Sequence, residues 1–562
     1  MSLLQAILAS LVLLASFIVY QLFIVKYFNP LRRIAGPPVR NLLGNHLSAV
    51  LDPKRSPVVH KHLIERYGRS VRIRGVGPWD DRLLTLDPVS LNHVLKNSTL
   101  YEKPWQSRRL ITSLIGCGML SAEGQMHKRQ RRIATPAFSI QNMRALVPLV
   151  FQKGNQLKDR WMDMMDAGTG GVAGGVAGGV ATVDVCQWMS RATFDIIGLA
   201  GFDYNFNSIQ DESNELFLAY KEMFDKVIGK SSFWGTLASV YFPTIFKIIP
   251  NQRSRIIERC QAVIRREAGN MITEKKRKIA EGARSGKAYQ GKDILTQLLT
   301  SNASMDIPPE QRIDDEEMLH NINTFMFAGS DTTSLTVSWT LYLLTENPEM
   351  QESLRAELLS ILPPTALSDL SEEETQSLYS EIAELPYLHN VIREALRLIP
   401  PLHSTLRVAT QDDDIPVSYP VHRRDGTVDE NARSVHIAKG TFVQVSVEAF
   451  NLDQDVWGED AWLFNPNRWN NLPDKAREQP GLFSNILSFS AGPRSCIGIR
   501  FALIEVKTFL FILLTNFIFS SSVDPIDKVN VVLTRPFVRK QSSKGSQMPL
   551  IIKRFERSTQ VL

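Results

Sequence analysis

The segment Phe489-Ser490-Ala491-Gly492-Pro493-Arg494-Ser495-Cys496-Ile497-Gly498 concentrates the reactive chemistry of this sequence. Two glycines and a proline specify a tight, non-helical loop, and a largely apolar helical run follows from Ile499 through Leu514. A cysteine just ahead of a helix has its thiolate favoured by the terminal peptide dipoles and unpaired amides. Cys496 is therefore a candidate thiolate ligand, weighed against the plainer reading of a structural cysteine.

Further constellations precede it, each on an element the pattern predicts. Asp314 can cap a helix, with Glu317 at capping-box spacing, and an apolar pattern through Ile322, Phe325 and Met326 carries that helix to Leu344. This helix contains Ala328-Gly329-Ser330-Asp331-Thr332-Thr333, whose polar side chains could serve chemistry or merely bond to preceding carbonyls. Asn347-Pro348 opens a second helix. Leu385-Pro386 introduces a third, stopped by Pro400-Pro401, with Glu394 and Arg397 on one face. Arg468 follows within Phe464-Asn465-Pro466-Asn467-Arg468-Trp469, and His127 and Arg131 lie in an earlier basic stretch. Strand-like islands, Val71–Arg74 and Asp81–Leu86, are bounded by charged, Gly or Pro residues.

Together these segments resemble the cytochrome P450 family, specifically the eukaryotic microsomal type abundant in fungi. The family's haem signature is Phe, two residues, Gly, one residue, Arg, one residue, Cys, one residue, Gly, and every fixed position is present from Phe489 to Gly498. Ala328 to Thr333 match its oxygen-activation motif, and Glu394 with Arg397 match its Glu-x-x-Arg pair.

The resemblance implies the P450 fold, mainly α with a smaller β-rich part. It implies haem b, iron protoporphyrin IX, with Cys496 as the axial metal ligand and Phe489 packed near the sulfur. Arg494 and Arg407 are expected at the haem propionates. The family usually has Trp, three residues, Arg where this chain has His127 and Arg131; His127 can still donate a ring hydrogen bond to a propionate. Small Ala328 and Gly329 are expected to let the flat cofactor approach the helix, and Asp331 and Thr332 to deliver protons. Glu394, Arg397 and Arg468 are expected to form a buried structural network.

The implied activity is NADPH- and O2-dependent monooxygenation of a lipophilic substrate, a terpenoid or other fungal secondary metabolite first, a fatty acid or xenobiotic next. By the same resemblance, substrate contacts are expected from Ser107–Leu120, Phe217–Phe242, Leu402–Leu406 and Leu533–Phe537. A haem-thiolate isomerase or dehydratase and a non-catalytic haem sensor are the alternatives. No nucleotide-binding fingerprint is present, so electrons are expected from NADPH-cytochrome P450 reductase, with cytochrome b5 as a further partner. Lys128, Arg129, Arg131 and Arg132 fit either a docking surface or a solvated helix face.

The 562 residues, 44% of them hydrophobic, can bury a large core, and a net charge of +6 does not demand nucleic acid. Cys117, Cys186, Cys260 and Cys496 are too scattered for a disulfide framework or paired metal spacing. From Ser2 to Val25 no residue is charged, a run long enough to suggest a transmembrane helix. Its start lacks the basic residues of a secretory signal, and Lys26, Arg32 and Arg33 follow it. The expectation is a membrane anchor over residues 1–28, a proline-containing hinge over 29–45 and a haem-thiolate domain over 46–562. That places a single-pass protein in the endoplasmic reticulum membrane with its catalytic domain toward the cytosol and membrane lipid as a partner. The Gly-Gly-Val-Ala repeats between Gly168 and Val180 lack the Lys-Ser/Thr ending of a phosphate loop and suggest a flexible surface insertion.

Overall fold

The computed structural model describes residues 3–20, 24–39, 41, 44–77, 80–167, 179–228, 252–284, 289 and 291–556. Most of the repeat segment, residues 168–178, lies outside the described residues, as does the part of the expected substrate-contact segment after residue 228. The chain forms two compact units. One comprises residues 1–104, 403–462 and 473–495; the other comprises 105–402, 463–472 and 496–562.

The first unit is built on a five-stranded sheet. Its order is Ser70–Arg74, Asp81–Thr85, Phe442–Ser446, Ser404–Ala409 and Tyr101–Glu102. Asp81–Thr85 and Phe442–Ser446 run parallel, while the other neighbours are antiparallel. Leu83, Val443 and Val445 bury their side chains in the core of this unit. Leu31 and Ile34 join the same core, and the Ala35 amide donates to the His422 carbonyl at 2.9 Å. Residues 31–35 are thus fastened to the sheet unit by burial and backbone bonding.

The expected transmembrane helix requires correction. Among the described residues, the apolar run forms a helix over Leu3–Val19, 17 residues long, and Val25–Phe28 is helical over four residues. At 1.5 Å per residue the first reaches about 25 Å, short of a hydrocarbon core of about 30 Å. Among the described residues, no helix is long and apolar enough to cross a membrane. The single-pass endoplasmic reticulum topology inferred from composition is therefore not supported. Apolar composition reports what a segment prefers to touch, whereas spanning also requires a helix of sufficient length.

The second unit is largely helical. Its central element is the 31-residue helix Asp315–Thr345, about 46 Å long. Asp314 and Glu317 close its capping box, satisfying first-turn amides. This helix carries many hydroxyl residues yet is mostly buried, because Thr324, Ser330, Thr332, Thr336, Ser338 and Thr340 each donate to the carbonyl four residues earlier. Such internal bonding removes the cost of burying an unpaired hydroxyl. Helix Val185–Phe202 packs beside it, and helix Ile499–Asn516 contributes Phe509, Leu510, Phe511 and Ile512 to the core, all fully buried.

One buried acid on that last helix makes the unit sensitive to pH. Burial pushes the Glu505 carboxyl well above its ordinary range, and the nearby Thr333 hydroxyl offsets part of that shift. The folded protein therefore retains a proton that the unfolded chain releases, so this group's contribution to stability falls as pH rises above the ordinary carboxyl range. Glu505→Gln should flatten that dependence and raise the thermal midpoint relative to wild type most at the alkaline end, measured from about pH 5 to 8. A variant curve parallel to the wild-type curve would show that Glu505 does not carry the linkage.

Candidate functional site

In the second unit, Cys496 precedes helix Ile499–Asn516, whose N-cap is Gly498. The residue keeps exposed surface, while surrounding protein desolvates the sulfur. This desolvation pushes the thiol up; a hydrogen bond from the Gly498 backbone and the positive charge of Arg131 act in the opposite direction. A cysteine with exposed surface, a backbone donor to its sulfur and a nearby cation suits a thiolate ligand better than an inert core cysteine.

Arg131 lies on helix Gly124–Ala134, one turn after His127. Burial lowers the Arg131 pKa, and Cys496 acts against that shift. His127 is buried. The neighbouring basic residues are not one uniform surface. Arg129 pairs with Glu317, and Arg132 donates to Gln311 at 2.7 Å and to the Asp306 carbonyl at 3.2 Å, while Lys128 is exposed.

On the central helix, Ala328, Asp331 and Thr332 retain partial exposure in a stretch otherwise dominated by buried residues. Thr332 Oγ1 donates to the Ala328 carbonyl at 2.8 Å. The Asp331 carboxylate pairs with Arg535 on strand Thr534–Val538, a partner the sequence pattern did not single out. Gly329 answers a packing demand. A Cβ there would stand 2.9 Å from Ile197 Cδ1, so the missing side chain lets helix Val185–Phe202 approach closely. The only sequence signal for this contact was glycine's cost in a helix interior, which carries no information about the partner.

Glu394 and Arg397 occupy helix Pro386–Leu398 with no side-chain exposure. Arg397 Nη2 donates to Glu394 Oε1 at 2.7 Å and Arg397 Nε to Oε2 at 2.9 Å. The Asn465 amide at 3.1 Å and Arg468 Nε at 3.4 Å also reach Oε1, while Trp469 Nε1 reaches Oε2 at 3.1 Å. Trp469 and the Asn465 amide were not assigned from sequence, although both occur in the segment containing Arg468.

The first unit supplies the remaining signature residues. Phe489 packs its ring edge against Phe483, with centroids 5.5 Å apart. Gly492 adopts φ +68, and a Cβ there would meet the Leu95 carbonyl oxygen at 2.4 Å, so the loop requires glycine twice over. Arg494 closes the short turn Gly492–Arg494 and is partly exposed. Buried Arg407 donates to Thr405 Oγ1 at 2.7 Å from strand Ser404–Ala409.

Within the second unit the residues present fit a haem: Cys496 can bind iron, and Arg131 and His127 provide donors suited to carboxylates. Among the described residues, no group of three or more His, Cys, Asp or Glu side chains is placed to hold a metal.

Comparison with known proteins gives the same direction. The family described as Cytochrome P450 matches residues 34–541. Cytochrome P450 monooxygenase 205 of Postia placenta is 37% identical over 534 residues, covering 93% of each chain. Cytochrome P450 monooxygenase 128 of the same organism is 34% identical over 562 residues, covering 98% of this chain and 97% of the relative. Ganoderic acid synthetase of Ganoderma lucidum is 32% identical over 559 residues, covering 94% of this chain and 95% of the relative.

Removing the negative charge at the centre of the buried network should be severe. Glu394→Gln leaves Arg397 and Arg468 without their carboxylate and should cost about 3–5 kcal/mol, the range for breaking a buried pair by removing one partner. Chemical denaturation with haem content measured in parallel reads the effect; an unchanged midpoint would remove the network from the main sources of stability.

Proposed function

Because this chain belongs to the cytochrome P450 family, a haem b monooxygenase family using dioxygen and NADPH-derived electrons, we propose that Cys496 is its axial thiolate and that Asp331 and Thr332 handle protons during oxygen activation. The carrying observation is Cys496 itself, a residue with exposed surface whose sulfur lies near the Gly498 amide and in the field of Arg131. When bound, the haem supplies dioxygen and C–H chemistry, with thiolate donation favouring O–O cleavage. Arg131 and His127 would donate to its propionates from the second unit, and the family resemblance assigns the same role to Arg407 and Arg494 and a place near the sulfur to Phe489. Glu394, Arg397 and Arg468 hold the surrounding backbone without touching substrate.

Proton handling follows from the central helix. With its hydrogen committed to the Ala328 carbonyl, Thr332 Oγ1 retains acceptor capacity that can orient a water. Asp331 Oδ can carry a proton toward that water once its contact with Arg535 opens. Electrons arrive through NADPH-cytochrome P450 reductase, for which exposed Lys128 and Arg132 provide positive charge. The substrate is lipophilic, a terpenoid or related fungal secondary metabolite. The relative named ganoderic acid synthetase supports assigning an organic natural product.

A reductase-coupled assay with NADPH and a panel of terpenoids, fatty acids and xenobiotics tests this reading through oxygenated product. Cys496→Ala should lose the red-shifted carbon monoxide difference band of a thiolate-ligated haem; the same band at equal haem content would refute the ligand assignment. Thr332→Ala and Asp331→Asn should keep haem but release more peroxide per NADPH consumed. Unchanged coupling in both would defeat the proton relay, and loss of haem would mark the altered residue as structural.

A further inference from the structure

Two helical turns before Ala328, the central helix of the second unit carries Asn321, a buried amide. With about 3.6 residues per turn, Asn321, Phe325, Ala328 and Thr332 fall within an arc of about 60° on the helix surface. One face therefore carries them all. At a rise of 1.5 Å per residue, Asn321 lies about 10 Å along that face from Ala328.

At that end of the face, the loop joining helix Trp105–Ile115 to helix Gly124–Ala134 lies directly against the central helix. The Met119 amide donates to Asn321 Oδ1 at 3.0 Å, while Asn321 Nδ2 donates to the Glu317 carbonyl at 2.8 Å. The side chain is thus oriented by its own helix and offers its acceptor to the loop. Two glycines permit the close approach. Gly116 adopts φ +83, and a Cβ there would stand 2.1 Å from His320 Cδ2. At Gly118 a Cβ would stand 2.3 Å from Thr324 Oγ1 and 2.4 Å from the His320 carbonyl oxygen. Ser121 Oγ closes the loop on itself, donating to the Gly116 carbonyl at 3.0 Å and to the Gly118 carbonyl at 3.2 Å. A loop with such internal bonds shifts as one piece, and Asn321 ties that piece to the helix.

We propose that Asn321 is a positioning residue for substrate: by holding the Met119 amide it fixes this loop as a wall across the face that leads to Ala328 and Thr332. The wall limits how far a lipophilic substrate extends along the helix. This inference rests on the reading that Ala328 and Thr332 face bound haem, and it adds the residue that sets the far end of the substrate site. An apolar side chain at 321 could fill the same space, but the buried Met119 amide would lose its acceptor. Without that bond the loop lifts and the wall recedes. A methyl group at Gly118 would have the same effect by a different route, since it pushes the loop off Thr324 and His320.

The test uses full-length haem-loaded protein and compares wild type with Asn321→Ala and Gly118→Ala, by two measurements that need no turnover. Amide hydrogen exchange at Met119 should quicken severalfold in both variants. Imidazoles bearing N-alkyl chains from methyl to dodecyl are then titrated through the haem absorption shift they cause. In wild type, affinity should climb with chain length and stop climbing where the chain meets the loop. That break should move to longer chains in both variants, while 1-methylimidazole binds all three proteins alike. A break at the wild-type chain length in both variants would overturn the positioning role, whether or not exchange had quickened. Unchanged exchange at Met119 in Asn321→Ala would overturn it too. Loss of haem in both variants would make the contact a structural one and refute the proposal. Failure of 1-methylimidazole to shift the wild-type spectrum would instead strike the haem-facing reading on which the proposal rests.

Discussion

The helical unit depends on a carboxylate that has given up water completely. Glu394 is buried beside Arg397, and its two oxygens accept from Arg397, Arg468, Trp469 and the Asn465 amide. Removing two charges from water costs several kcal/mol per ion, and excellent geometry with further hydrogen bonds is required to recover it. The arrangement is consequently intolerant of partial assembly. Helix Pro386–Leu398 and the turn Pro466–Asn470 must reach the same place for either charge to be satisfied. This constraint offers specificity of position more readily than surplus stability.

The central helix solves a related problem with neutral groups. Its serines and threonines turn hydroxyls back to carbonyls of their own helix, so polar residues can line a buried element without partners from elsewhere. Thr332 belongs to that series by geometry, while its partial exposure separates it from most of the others. Asp331 uses a distant cation instead. A single helical turn thus combines a self-satisfied hydroxyl, a charge-paired acid and a glycine closely approached by Ile197. The functional reading assigns separate duties to these neighbours, and the packing gives a physical reason for each residue type.

Cysteine reactivity is likewise set by surroundings. Desolvation alone would favour the neutral thiol at Cys496, whereas the Gly498 donor and Arg131 favour the anion. A thiolate-binding cation completes that balance, which is why the loop sequence and the presence of haem are chemically inseparable in the proposed mechanism. The same logic makes a buried Cys186 different: burial and the nearby Asp184 charge push its thiol up to about 12, so it behaves as a protonated packing group.

By itself, the sequence determined the haem-thiolate signature, the order of its companion motifs and most of the helices that carry them. Those signals are local: a cap at Asp314, prolines at helix starts, paired charges three residues apart and a glycine-rich loop before Cys496. The strand pair near the beginning was legible for the same reason, since alternation and turn residues act over a few positions. Tertiary structure alone decided that Arg535 pairs with Asp331 across 204 residues of chain, that Ile197 requires Gly329 and that Trp469 donates to Glu394. It also left no described helix long and apolar enough to cross a membrane, where composition had suggested a spanning helix at the beginning. Local preference is written in neighbouring residue types, but the partner of a buried charge depends on packing that no short window contains.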